Sequence, residues 1–162
     1  MVQTIKAALE KISGFRVTKG QVTEDDLRAR VKSIMQSLSE VPPYEAERIE
    51  KMRERLNQNL AEYLGSENID KNRFEQEVIF YIEKIDISEE KSRLAQHCEY
   101  FLEQLDDKKN VQKGRKLSFI GQEMGREINT LGAKAYSSGL QRLVVKMKDD
   151  LEKIKEQVAN VV

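Results

Sequence analysis

The sequence predicts an all-α protein: long antiparallel helices in an elongated bundle, with a coiled-coil-like C-terminal helix. Three observations carry that expectation. Apolar residues recur at helical spacing along most of the chain, only two prolines interrupt its 162 residues, and tryptophan is absent with aromatics at 6%. Few aromatics and no tryptophan also argue against a β-sandwich. A charged fraction of 35% beside 39% hydrophobic residues is the composition of a soluble, helix-rich chain.

In the opening MVQTIKAALEKISGFR, Val2, Ile5, Leu9 and Ile12 predict an amphipathic helix that begins without a leading cap. Gly14 and Gly20 then flank a short polar connection. Thr23 followed by Asp26 has the form of an N-terminal cap with an acid in the first turn. A second helix is expected from about Glu24 to Leu38, burying Leu27, Val31, Ile34, Met35 and Leu38. Pro42 and Pro43 end it and start a third, about Pro43 to Leu64, which carries Ile49, Met52, Leu56, Leu60 and Tyr63 inward. Its other side, Arg48, Glu50, Lys51, Arg53, Glu54 and Arg55, reads as a solvated face laced with salt bridges. Gly65 and Ser66 close it.

Asp70 stands where it can cap a helix whose Phe74, Val78, Tyr81, Ile82 and Ile85 face the core. Asp86, three residues before Glu89, has the arrangement of a capping box and predicts a bend or restart. Leu94, Cys98, Phe101, Leu102 and Leu105 continue the stripe. The stretch GRKLSFIGQEMGREINTLGAKA, Gly114 to Ala135, sets Leu117, Met124, Ile128, Leu131 and Ala135 on one helix face. Within it, Gly125 costs about 1 kcal/mol relative to alanine, which marks a place of close approach. In a last helix begun near Ser138, Val144, Met147, Leu151, Ile154, Val158 and Val161 are spaced three, four, three, four and three. That is an a/d seam, for core or oligomer contact. Its outer face, Lys146, Lys148, Asp149, Asp150, Glu152, Lys153 and Lys155, is balanced in charge. Residues 1–68 are read as a helical arm and residues 69–162 as the domain that carries a site.

Charge and cysteine usage bound the function. Lys plus Arg equal Asp plus Glu at 28 each, so a nucleic-acid partner has to be met by a local patch. The single cysteine rules out an internal disulfide and a cysteine-based zinc site, and it fits a reducing cytoplasm. No secretory leader and no apolar run long enough to span a bilayer are present, so a membrane role is not expected. Neither GxxxxGK[ST], GxGxxG nor HExxH occurs, no serine has the setting of a triad nucleophile, and there is no solenoid repeat.

What invites chemistry is the polar side of Gly114 to Ala135, where two amides (Gln122, Asn129), two acids (Glu123, Glu127), the Arg126 guanidinium and Thr130 replace a plain Lys and Glu face. Glu90, Arg93 and His97 share a face at i, i+3 and i+7. An antiparallel pairing of the two helices through DDKKNVQKG brings Glu77, Asp86, Glu90 and His97 toward Glu123 and Glu127. Carboxylates converging with an imidazole suit magnesium or manganese, which can activate water at a phosphodiester. Plain alternatives stand beside this. A lone helical histidine is more often hydrogen-bonded structure, Asp86 can be only a cap, and Glu75 and Glu77 can be only surface.

The blocks NRFEQEVIFYIEKIDISEEKSRLAQH, GRKLSFIGQEMGREINTLGAKA and VVKMKDDLEKIKEQVANV, in that order, resemble the carboxy-terminal half of the YicC-like bacterial proteins over about residues 70–160. The resemblance implies an endoribonuclease of RNA turnover: metal-assisted cleavage of structured, hairpin RNA by a ring-like, hexameric homo-oligomer. It implies metal binding at Glu77, Asp86, Glu89 and Glu90, and catalytic roles for His97, Glu123 and Glu127. RNA contact falls to Arg73, Arg93, Arg115, Gln122, Arg126, Asn129 and Lys134. On this resemblance the chain is expected to be a fragment without the family's amino-terminal domain. Ser118, Gly125 and Ala133 stand where the family usually has an acid, Asn and Ser, and its terminal NIE is NVV here. The alternative class is a non-catalytic helical oligomerisation or adaptor module, which would use the heptad tail and the charged helices.

Overall fold

The computed structural model describes residues 1–161, with side chains to Asn160. Its elements are α1 (Val2–Ser39), α2 (Pro42–Leu64), a 3₁₀ turn (Ser66–Asn68), α3 (Lys71–Ile85), α4 (Ser88–Asp106), α5 (Lys113–Ala133) and α6 (Ser138–Val161). Among the described residues there is no strand, and none of the helices is long and apolar enough to cross a membrane.

The core follows the predicted stripes. Leu94, Cys98, Phe101 and Leu105 of α4 meet Leu117, Met124, Ile128 and Leu131 of α5, and α6 adds Val144, Met147, Leu151, Ile154 and Val158. The second half of α1 completes the ring through Leu27, Val31 and Ile34, packing against α4 and α6. The heptad seam of α6 is therefore spent inside the bundle, up to Val158; its last predicted position, Val161, lies outside the described side chains. Close approach is met at Gly125, where an added Cβ would come within 3.3 Å of Leu151 Cδ2. The tightest glycine is Gly139, where a Cβ would overlap the Tyr44 ring at 2.0 Å, so the ring that α2 lays there would have to move.

Several local expectations fail, each for a visible reason. The Gly14–Gly20 connection is absent, because α1 runs unbroken from Val2 to Ser39. Thr23 caps nothing: its Oγ1 donates to the Lys19 carbonyl one turn back, 2.9 Å away, as Thr18 does to Gly14 at 3.0 Å. Residues 1–22 are exposed throughout, so Val2, Ile5, Leu9 and Ile12 form a helical stripe with no core beneath it. Tyr63 was expected inward and is 87% exposed, because α2 outruns the bundle it leans on. Asp150, placed by periodicity on the outer face of α6, is buried. It accepts hydrogen bonds from Ser33 Oγ at 2.6 Å and Arg30 Nη1 at 3.2 Å, which tie α6 to α1. Asp70 does cap α3, accepting from the backbone N–H groups of Asn72 and Arg73. Asp86 forms no reciprocal box with Glu89; its carboxylate accepts from the Ser88 N–H and hydroxyl.

Candidate active face and basic groove

Helices α4 and α5 pair antiparallel, and three contacts give their register. Lys134, just past α5, donates to Glu90 Oε1 at 2.7 Å near the start of α4. One turn on, Arg93 Nη1 lies 3.9 Å from Glu127 Oε1, and the far end of the pair sets Lys116 Nζ 6.0 Å from the Tyr100 ring centre. His97 is half-buried on α4 between those last two contacts. On α5, Glu123 is half-buried and bonded to Arg126 at 3.5 Å, while Glu127 is buried. The pairing thus collects Glu90, Arg93, His97, Glu123, Glu127 and Lys134 along one α4–α5 strip. Gln122, Arg126 and Asn129 line the exposed side of α5 beside it.

Other predicted residues are not gathered there. Glu77 and Arg73 are exposed on α3, and Arg115 is exposed at the opposite end of α5. Glu89 pairs with Arg93 at 2.5 Å. Asp86 is held below the ordinary carboxyl range chiefly by the hydrogen bond from the Ser88 hydroxyl. Among the described residues no three acids, thiols or imidazoles converge closely enough to hold a metal ion. Glu90 keeps one buried oxygen, Oε2, without a partner, but its other oxygen is neutralised by the Lys134 ammonium. Asp86, Glu89 and Glu90 are thus paired separately, and no three of the predicted ligands share one centre among the described residues.

Beyond Lys134 the strip meets a second feature, which periodicity hid. An open groove of about 400 Å³ runs between α2, α3 and the turn after α5. Arg48, Lys51, Arg55 and Lys84 line it with Tyr81 and Tyr136, and none of its lining residues is acidic. Lys51 is tethered to Glu47, whereas Arg55 and Lys84 have no carboxylate partner among the described residues. Arg48 is buried: its Nη1 donates to the Lys134 carbonyl at 2.6 Å and its Nε has no partner. Burial pulls the Arg48 guanidinium below its ordinary pKa, against the opposing pull of Glu45 and Asp86. Tyr136 is 68% exposed and holds a left-handed backbone, φ 46°, unusual for a residue with a Cβ. The available signal was the spacing of Arg48, Lys51 and Arg55 at three and four along α2.

Comparison with known proteins covers both features. The family model described as "Endoribonuclease YicC-like, C-terminal" matches residues 41–162. A protein of Clostridioides difficile (strain 630) named "Probable endoribonuclease YicC" is 34% identical over 160 residues, which is 98% of this chain and 54% of that protein. Its namesake in Haemophilus influenzae is 33% identical over 147 residues, 91% of this chain and 50% of its own. The chain spans about half the length of these curated relatives. The blocks that suggested the family hold the α4–α5 strip, the groove lies inside the matched residues, and the chain belongs to the YicC-like endoribonuclease family, of which it carries the C-terminal part.

Proposed function

We propose that this chain carries the cleaving face of an endoribonuclease and that the α4–α5 strip is that face. The observation that supports the reading most is the Arg93–Glu127 contact, with His97 one turn further along α4. Breaking an RNA phosphodiester requires a base for the attacking hydroxyl, an acid for the leaving oxygen, and positive charge at the non-bridging oxygens. In this reading His97 moves the proton, Glu123 and Glu127 act as the acid–base carboxylates, and Arg93 and Arg126 contact phosphate. Gln122, Asn129 and Lys134 position the strand along α5. A magnesium or manganese ion, its shell completed by water, would add positive charge at the non-bridging oxygens.

The test is cleavage of a hairpin RNA by the chain, with manganese, with magnesium and with chelator. His97→Ala and Glu123→Ala should each lower the rate by about 10²–10⁴-fold, the usual worth of a positioned proton-transfer group. Cutting that survives both substitutions, or no cutting by the parent chain, overturns the assignment. The three buffers decide metal dependence separately.

One observation favours a second reading, a helical assembly module. The exposed stripe Val2, Ile5, Leu9 and Ile12 is an apolar face without a partner, and such faces mark association. Light scattering on the same preparations reads it directly: a monomer at all concentrations removes it.

A further inference from the structure

We infer that the groove between α2 and α3 is a binding track for single-stranded RNA, with phosphates on Lys51, Arg55 and Lys84 and a base stacked on Tyr136. The inference rests on the proposed ribonuclease reading for the class of nucleic acid, and it adds a site that the α4–α5 strip does not contain.

Four observations converge on an anionic, aromatic-bearing ligand. The chain has no net charge, yet every charged side chain lining this groove is a cation. Helical cations are ordinarily neutralised by acids one turn away, and here Arg55 and Lys84 are not, among the described residues. The buried Arg48 Nε is a donor without an acceptor, on a guanidinium whose burial already disfavours its charge. The Nε itself is closed to solvent, so a phosphate in the groove would act on this guanidinium through its charge. Tyr136 and Tyr81 stand among these cations, 68% and 36% exposed. Cations that follow a backbone, interleaved with rings that accept bases, are the composition of a single-strand track. Duplex RNA keeps its base faces stacked on one another and has none to offer a tyrosine.

The backbone at Tyr136 strengthens the case. A φ of 46° is tolerated by glycine and disfavoured for a β-carbon-bearing side chain, so packing alone selects glycine there. The ring is directed to solvent beside the groove, where it contributes little to the fold. Position also fits the proposed chemistry. Arg48 holds the Lys134 carbonyl, and Lys134 Nζ holds Glu90 Oε1 and the Asp86 carbonyl. The groove therefore ends at the start of the α4–α5 strip, and a strand lying in it leads to Glu90.

The test is fluorescence anisotropy of a labelled 12-nucleotide single-stranded RNA, in chelator, beside an abasic ribose-phosphate strand of equal length. The parent chain is compared with Lys51→Ala/Arg55→Ala/Lys84→Ala and with Tyr136→Gly, which keeps the left-handed turn and removes the ring. All four positions are exposed, and circular dichroism confirms each fold. The triple variant should bind both strands at least about 10-fold more weakly and lower the slope of log affinity on log salt by about 2. Tyr136→Gly should weaken the base-bearing RNA by about 5- to 100-fold and leave the abasic strand unchanged. Unchanged affinity in the triple variant, or equal losses for both strands in Tyr136→Gly, overturns the inference. Loss of cleavage in His97→Ala with RNA affinity intact supports the ribonuclease reading alone; groove-dependent binding by a chain that never cuts supports the groove alone.

Discussion

Helices α4, α5 and α6 each bury a long apolar stripe, whereas α2 and α3 together bury Val78, Ile85 and Arg48. Both regions have helical periodicity. The difference is coverage: each bundle helix is flanked by two others, while α2 and α3 lean mainly on one another and on the bundle's rim. Where a second helix seals the stripe, side chains become packing. Where none does, tyrosines and cations remain available to solvent and to a ligand. The proposed track lies in the less covered region and the proposed cleaving face on the rim of the covered one.

The contrast is tested most strongly by matched aromatic truncations. Phe101→Ala in the bundle should cost about 3–5 kcal/mol, while Tyr63→Ala on α2 should stay within about 0.5 kcal/mol. Urea unfolding at neutral pH measures both, and comparable losses would mean that α2 is sealed in solution.

A smaller effect separates the regions by pH. Cys98, wholly within the bundle, has its thiol pushed up to about 12, mainly by burial and further by Glu99. The unfolded thiol ionises near its ordinary value of about 8.5–9, so between there and about 12 the unfolded state binds fewer protons than the folded one. Stability from this group is complete below that window and falls as pH rises through it, by at most about 1.4 kcal/mol per pH unit. The stability of the parent relative to Cys98→Ala should drop by roughly 1 kcal/mol between pH 9 and pH 10. A flat difference would place Cys98 in contact with water.

The smallest effect concerns the exposed half of α1. An added Cβ meets nothing within 4 Å at Gly14 or Gly20, so Gly14→Ala and Gly20→Ala should each favour the helix by about 0.5–1 kcal/mol. Circular dichroism should show more helix and an unchanged bundle midpoint. A lowered midpoint would reveal that this half packs on something.

Much of the fold was legible because helix periodicity is a local property. The stripes Leu94 to Leu105 and Leu117 to Ala135, the Asp70 cap and the restart after Ile85 follow from neighbouring residues alone. So does the face holding Glu90, Arg93 and His97, and a short connection sufficed to pair α4 with α5. Thr23 misled because a threonine serves equally as a cap or as an i−4 back-bonded helix residue, and sequence does not separate the two. Asp150 misled because a charge on the flank of a seam goes wherever a partner waits, here Ser33 and Arg30.

The site divides along the same line. Which side chains share a helix face, and so the acid, imidazole and guanidinium of the strip, was fixed by spacing within α4 and within α5. Which acids stand together was not, since Asp86, Glu89 and Glu90 each answer to a different neighbour once α3 and α4 part at Asp86, and Glu77 stays exposed on α3. The groove lay furthest beyond reach. Arg48, Lys84 and Tyr136 are remote in the chain and meet because Tyr44 seats α2 against Gly139 and Arg48 grips the turn at Lys134. Periodicity assigns a side chain to a face; long-range packing alone settles what that face meets.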